Sequence, residues 1–292
     1  MVNVKNLTML VVVSVGCTTP AGVSVRANSG TTSIRAKMIG SLVVVPVRIG
    51  NAGVYSFLLD TGTDTTVVDS GLAAELGLVA TGRTTLMTTN GSTPANLATA
   101  TVGFGAIQAE NVEVLTTSLD ALLAVDRDVR GVLGQDILRR SSWLVDYRRG
   151  VVDQDVDGSA ASLAGARLPL KWSAGRPTVA GIFDGGEPVN LVLDSAANGL
   201  VLFAPNATRG TRGSMRMRSL DVEAEVPMVA AGTLRVGPVL FDRPRAGLVV
   251  RSDYEPGEGG LLPTSMFDAI YFDTARNEAV VVPRRIKGSV HN

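Results

Sequence analysis

From Ser41 onward the apolar residues fall in short runs, many with a two-residue alternation, separated by Gly, Asn and Asp. Ser41 to Ile49 reads as a strand, Asn51-Ala52-Gly53 as a turn, and Tyr55-Ser56-Phe57-Leu58-Leu59 as the returning strand. Thr84 to Val102 alternates about a central Asn90-Gly91, a strong hairpin signal. Gly103-Phe104-Gly105, Asn111 to Leu115 and Trp143 to Tyr147 add strands. Helical spacing is confined to two short pieces. One is Gly71 to Leu76, with Ser70 as its cap and Gly77 as its stop; the other is Asp136 to Arg140. Short strands, frequent glycine turns and little helix predict an all-β chain.

The order then repeats. Val179 to Phe183 and Val189 to Leu193 flank a turn at Asp184-Gly185-Gly186. Leu234 to Val239, Ala246 to Val250 and Ala269 to Asp273 follow as strands. Each half runs an apolar strand into an aspartate turn: Phe57-Leu58-Leu59-Asp60-Thr61-Gly62-Thr63 and Leu191-Val192-Leu193-Asp194-Ser195-Ala196-Ala197. The two aspartates are 134 positions apart, and the same offset carries Val102-Gly103 onto Val236-Gly237. Two diverged copies of one design are implied, and a pseudo-two-fold axis between them brings equivalent turns together.

Asp60-Thr61-Gly62-Thr63-Asp64-Thr65-Thr66-Val67-Val68 resembles the catalytic turn of pepsin- and retropepsin-type aspartic peptidases. Gly131-Val132-Leu133-Gly134-Gln135-Asp136-Ile137-Leu138 is similar to the element that packs beneath that turn, with Gln135 where retropepsins carry Arg. Gly260-Leu261-Leu262-Pro263-Thr264-Ser265-Met266-Phe267 stands in the corresponding place of the second half, with Pro263 replacing Gly. The resemblance spans Val43 to Val282. It implies two pseudo-symmetric, barrel-like lobes of the acid-protease type, with a cleft between them and Asp60 and Asp194 as the catalytic pair. Thr61, Gly62, Thr63, Ser195 and Ala196 are expected to support the catalytic loops. A flap over the cleft falls at Thr88, Thr89, Asn90, Gly91 and Ser92, a plain exposed hairpin being the alternative. Arg209 to Gly213 occupies the flap's place in the second half.

Composition narrows the chemistry. The 292 residues are 45% hydrophobic and 18% charged, enough for two cores. Lys plus Arg and Asp plus Glu are 27 each, which gives no electrostatic case for nucleic acid. The single histidine is His291, at the C-terminal end, and the single cysteine is Cys17. Ser-His-Asp and Cys-His mechanisms therefore lack a base, and a zinc site lacks His and Cys ligands. Hydrolysis by this chain falls to carboxylates; no cofactor and no metal is expected.

Lys5 precedes an apolar run, Leu7 to Val15, of signal-peptide length, closed by Gly16-Cys17 in the manner of a bacterial lipoprotein signal. Ser14 departs from that motif, which leaves an ordinary secretory signal as the alternative to lipid attachment at Cys17. Either reading exports the protein, to the periplasm or the outer membrane, or by secretion. The expected organisation is a signal peptide at 1–17, a tether at 18–38, a first lobe at 39–152, a linker at 153–166, a second lobe at 167–286 and a tail at 287–292. Asp153, Asp155 and Asp157 alternate within the linker, but the later Glu of a calcium loop is missing.

Two close carboxyls share one proton, since both cannot ionise cheaply. The ionised member then serves as base on a water and the protonated one donates to the carbonyl oxygen. The resemblance implies that the Thr61 and Ser195 hydroxyls lock the turns together. Thr63 is expected to donate to Asp60 and Ala197 to give Asp194 nothing, making Asp60 the better stabilised anion. The partner expected is a peptide or protein substrate, and the chain itself a monomer. A peptide-binding protein that does not cut is the first rival reading. A glycosidase is the second, disfavoured by an aromatic content of 4%.

Overall fold

The computed structural model describes residues 12–13, 23–27, 30–89, 91–155, 163–203, 211–218, 223–249 and 257–284. Almost all ordered segments are strands, arranged in two ten-stranded sheets and one of six strands. β-Branched runs such as Leu42–Ile49 (LVVVPVRI) give the two ten-stranded sheets their cores.

In the first half, Leu42–Ile49 pairs antiparallel with Gly53–Leu59, which in turn pairs parallel with Val129–Leu133. The long strand Gly91–Phe104 pairs with Ala80–Thr88 and Ile107–Thr117, and its end returns to Leu42–Ile49 through Arg48 opposite Gly103. The sheet thus bends into a ring. The second half repeats this frame: Arg176–Phe183 pairs with Pro188–Asp194, which pairs parallel with Glu258–Pro263. The counterpart of Gly91–Phe104 is broken into Glu223–Ala230 and Leu234–Val236.

The six-stranded sheet joins the halves. Ser142–Asp146 from the first lies against Phe267–Asp273 from the second, with Trp143 opposite Phe272. Their rings stack with centroids 4.5 Å apart. This seam fixes how the two halves meet, and with it the relation between their aspartate turns.

Several boundaries differ from the sequence reading. The tether expected at 18–38 contains three strands: Ser24–Ala27, Thr31–Arg35 and Lys37–Ile39. Thr31–Arg35 is the edge of the six-stranded sheet, pairing with Val151–Asp155, and its Ile34 is buried. The β-branched threonines that look like a linker composition here serve a strand edge. The linker expected from 153 begins later, because Asp153 and Asp155 lie on the strand Val151–Asp155. Asp153 accepts from the Ser33 hydroxyl and Asp155 from Tyr271 at 2.9 Å, so these carboxylates serve the sheet; Asp157 lies outside the described residues. The helix is Ser70–Glu75, capped by Asp69 rather than Ser70: the Asp69 carboxylate accepts from Leu72 N–H at 3.1 Å. Thr211–Arg218 pairs with Glu223–Ala230, so Thr211, Arg212 and Gly213, expected in the flap's place, lie on a strand. Arg209 and Gly210 lie outside the described residues.

Residues 1–17, read as a signal peptide outside the fold, contribute one short pairing. Val12–Val13 forms a two-residue strand against Met87 and Thr88. It is the outermost strand of its sheet. Cys17 lies outside the described residues.

Candidate active site

Each aspartate ends a buried strand. Leu58 and Leu59, their counterparts Val192 and Leu193, and both aspartates are fully buried. The strand cannot continue past Asp60 because the chain turns immediately, held by Asp60 N–H donating to Leu133 O at 3.1 Å. Glycines beneath make the close approach possible. A Cβ on Gly131 would lie 2.1 Å from the Phe57 ring, and one on Gly134 would lie 2.6 Å from the Thr65 main chain. Both sites therefore exclude any larger residue.

The two turns grip each other by four reciprocal hydrogen bonds. Thr61 N–H donates to Ser195 Oγ at 3.0 Å, and Ser195 N–H donates to Thr61 Oγ1 at 2.9 Å. Thr61 Oγ1 donates to Leu193 O and Ser195 Oγ to Leu59 O, each at 2.7 Å. All of these groups are buried, so leaving any one unpaired carries a desolvation penalty.

The grip brings the two aspartate turns into one site. A Cβ on Gly62 would come within 2.7 Å of Asp194 Cγ and Oδ2, so the first turn lies directly on the second carboxyl. Asp60 Oδ1 accepts from Gly62 N–H at 2.8 Å, while Asp194 Oδ1 accepts from both Ala196 and Ala197 N–H at 2.8 Å. The remaining oxygens, Asp60 Oδ2 and Asp194 Oδ2, are buried and have no other protein partner among the described residues.

Burial raises both carboxyls. Asp60 is held well above the usual carboxylate range by desolvation and then by the negative charge of Asp194, with Gly62 N–H opposing. Asp194 is pushed up to about 7 by desolvation, opposed chiefly by the Ala197 and Ala196 N–H groups. The donors differ from those the sequence leads one to expect. Thr63 Oγ1 turns away and donates to Thr65 O at 3.2 Å, whereas the main chain of Ala197 supplies the donor that its side chain lacks. Each carboxyl draws on main-chain N–H groups, Gly62 and Thr63 for Asp60 and Ala197 and Ala196 for Asp194.

Support beneath the two turns is unequal. Under the first, Asp136 accepts from Thr66 N–H at 3.0 Å and Thr66 Oγ1 at 2.7 Å, and Gln135 Nε2 donates to Thr61 O at 3.1 Å. Burial pushes Asp136 up to about 6, its bonds to Thr66 opposing. Under the second, Leu200 and Ser265 stand where Thr66 and Asp136 stand, and Tyr147 Oη bonds to Thr264 Oγ1 at 2.5 Å. The Gly134 position is Pro263, which ends the parallel pairing opposite Asp194.

Of the sequence-predicted residues, Asp60, Thr61, Gly62, Asp194, Ser195 and Ala196 come together at this point. Ala196 adds its buried methyl to an apolar cluster with Leu58, Val67, Leu86 and Ala95. Leu86 and Ala95 belong to the hairpin whose tip was read as a flap, so that hairpin packs on the turn's side of the sheet. Its pairing ends with Thr88 opposite Gly91; Thr88 and Thr89 are buried, Gly91 and Ser92 start the return strand, and Asn90 lies outside the described residues.

Sequence reasoning missed Arg176 and Glu258. They are buried together, with Arg176 Nη2 donating to Glu258 Oε1 at 2.6 Å, and the Arg176 charge favours the anions of both Asp60 and Asp194. The signal was present: Arg176 interrupts the repeat by replacing an apolar residue, Leu42, at the offset that aligns the two aspartates.

Residues 45–137 match the family model described as aspartyl protease. Among solved structures, the aspartic proteinase from Irpex lacteus superposes with a TM-score of 0.53. The match covers 90% of this chain and 100% of that one, at 12% identity. No curated protein matches the sequence. The chain has the fold of the pepsin- and retropepsin-like aspartic peptidases.

Proposed function

We propose that the protein is an aspartic endopeptidase whose water is activated between Asp60 and Asp194. The observation that carries this reading is the pair of buried carboxyls, one from each half, on turns that grip each other, with one oxygen on each that has no hydrogen-bond partner among the described residues. In the monoanionic state Asp194 is the base and Asp60 the acid. Water attacks the peptide carbonyl carbon as Asp194 takes its proton, and Asp60 gives its proton to the carbonyl oxygen. The resulting gem-diol collapses when Asp194 passes its proton to the amide nitrogen and Asp60 recovers its own, so the C–N bond breaks and both groups return to their starting state. The hairpin ending at Thr88 and Gly91 acts as the flap, excluding water from the closed site. Export, directed by the apolar leader and with or without a lipid at Cys17, places this activity outside the cytoplasm.

The experiment is cleavage of a denatured protein or peptide library by the full chain, with Asp60→Asn and Asp194→Asn as comparisons. Loss of cleavage in both variants, with the fold intact, is expected. A peptide carrying a hydroxyl at the attacked carbon should inhibit by placing that hydroxyl between the carboxyls. Binding of such peptides without any cleavage would assign the chain to the non-cutting peptide binders instead. Undiminished cleavage in both variants would remove the dyad from the chemistry.

A further inference from the structure

The second half departs from the first at one buried place near the carboxyl pair. In the first half Leu42 and Val129 lie in a wholly apolar cluster with Leu58, Val67 and Ala196. The pairing registers identify their counterparts. Val44 pairs with Leu58 and Thr178 with Val192, which puts Arg176 at the position of Leu42. Val129 pairs with Ser56 and Glu258 with Asn190, each followed by a register shift, which puts Glu258 at the position of Val129. An apolar pair in one half is thus an ion pair in the other, with side chains 0% and 1% exposed.

Stability does not account for this exchange. A buried ion pair is commonly no better than a well-packed apolar pair, and the first half shows the apolar solution in the same frame. The ion pair is also incomplete. Arg176 Nε and Nη1 and Glu258 Oε2 have no partner among the described residues, and each is costly to bury in that state. Their first-half counterparts, Leu42 and Val129, share a cluster with Ala196 of the opposite aspartate turn, and the Arg176 charge acts on both carboxyls. Asp60 Oδ2 and Asp194 Oδ2 are likewise buried and without a hydrogen-bond partner among the described residues.

We propose that Arg176 and Glu258 form a specificity pocket, on the second half's side of the cleft, for a carboxamide side chain (Asn or Gln) next to the bond that is cut. The proposal rests on the peptidase reading above. A carboxamide carries what the pair lacks: its oxygen accepts from Arg176 Nη1 or Nε, and its NH2 donates to Glu258 Oε2. A carboxylate offers acceptors only, and adds negative charge where Glu258 and the monoanionic carboxyl pair already lie. An aliphatic side chain leaves all three polar atoms unpaired in a dry site.

The test has a cleavage arm and a binding arm. Peptide libraries are cut with the full chain. In parallel, affinity is measured for hydroxyethylene peptides with Gln, Asn, Glu or Leu on either side of the hydroxyl-bearing carbon. Gln or Asn should bind about tenfold to hundredfold more tightly than Leu, and more tightly than Glu. The double variant Arg176→Leu/Glu258→Val installs the first half's own residues and leaves no orphan charge; it should reverse the ranking in favour of Leu. Equal affinity for Gln and Leu, a preference for Glu, no binding of any of the four, or an unchanged ranking in a folded double variant would each overturn the proposal. Should the double variant fail to fold, the wild-type ranking alone decides. Carboxamide-selective binding without cleavage would sink the peptidase reading and keep the pocket; cleavage without that selectivity would do the reverse.

Discussion

Thr61 and Ser195 each donate a main-chain N–H to the other's hydroxyl, and each hydroxyl donates onward to the carbonyl that precedes the opposite aspartate. One side chain from each half therefore carries the register between the two carboxyls. Ser195→Ala should leave Thr61 N–H and Leu59 O unpaired and destabilise the fold by about 2–4 kcal/mol, read by chemical denaturation. Thr61→Ser keeps the hydroxyl and should cost far less. Equal losses in the two variants would show that the Thr61 methyl, not the hydroxyl exchange, holds the turns.

Gly62 and Ala196 occupy the same place in the repeat but tolerate opposite changes. Gly62→Ala puts a methyl within 2.7 Å of Asp194 Cγ and should abolish cleavage by displacing that carboxyl. Ala196→Gly removes one buried methyl from the apolar cluster and should cost about 1 kcal/mol with cleavage retained. A large gain of activity in Ala196→Gly would identify the methyl as a sign of decay.

Arg130 and Asp69 offer a smaller test at the first helix. Asp69 caps Leu72 N–H and lies 3.8 Å from the Arg130 guanidinium. Asp69→Ala should destabilise by about 1 kcal/mol, whereas Ser70→Ala should change stability little, because Ser70 is already inside the helix. The reverse ranking, in thermal unfolding, would restore Ser70 as the cap.

The aspartate turns, the strands that carry them and the hairpin were legible because each rests on local chemistry: an apolar strand, a small residue at a close approach, an Asn-Gly turn. What the sequence hid depends on partners far along the chain. Thr31–Arg35 is a strand only because Val151–Asp155 offers it an edge, and polar, threonine-rich composition reads as a tether without that partner. The donors to the aspartates were hidden for a related reason. Side chains are visible in a sequence, but the donor that stabilises Asp194 is the main chain of Ala197. Arg176 and Glu258 are 82 residues apart, and neither one alone announces a buried pair.

Asp60 and Asp194 together predict how stability and activity vary with pH. Each has an ordinary value of 3.8 when exposed, and each is raised in the fold, Asp194 to about 7. Between those values the folded protein binds protons that the unfolded chain has released, so folding stability should fall as pH rises through this window. Asp136, raised to about 6, contributes with the same sign, so the wild type must be compared with a variant that keeps it. In Asp194→Asn the repulsion of the second carboxylate is gone. Denaturation at a series of pH values from about 4 to 8 should show the variant gaining on the wild type as pH rises, with the largest advantage at the alkaline end. Cleavage by the wild type should rise over the upper part of the same range, because Asp194 must ionise before it can take a proton from water. A wild type that instead gains stability relative to the variant between about pH 4 and 7 would mean that these carboxyls are salt-bridged anions, not a buried pair sharing a proton.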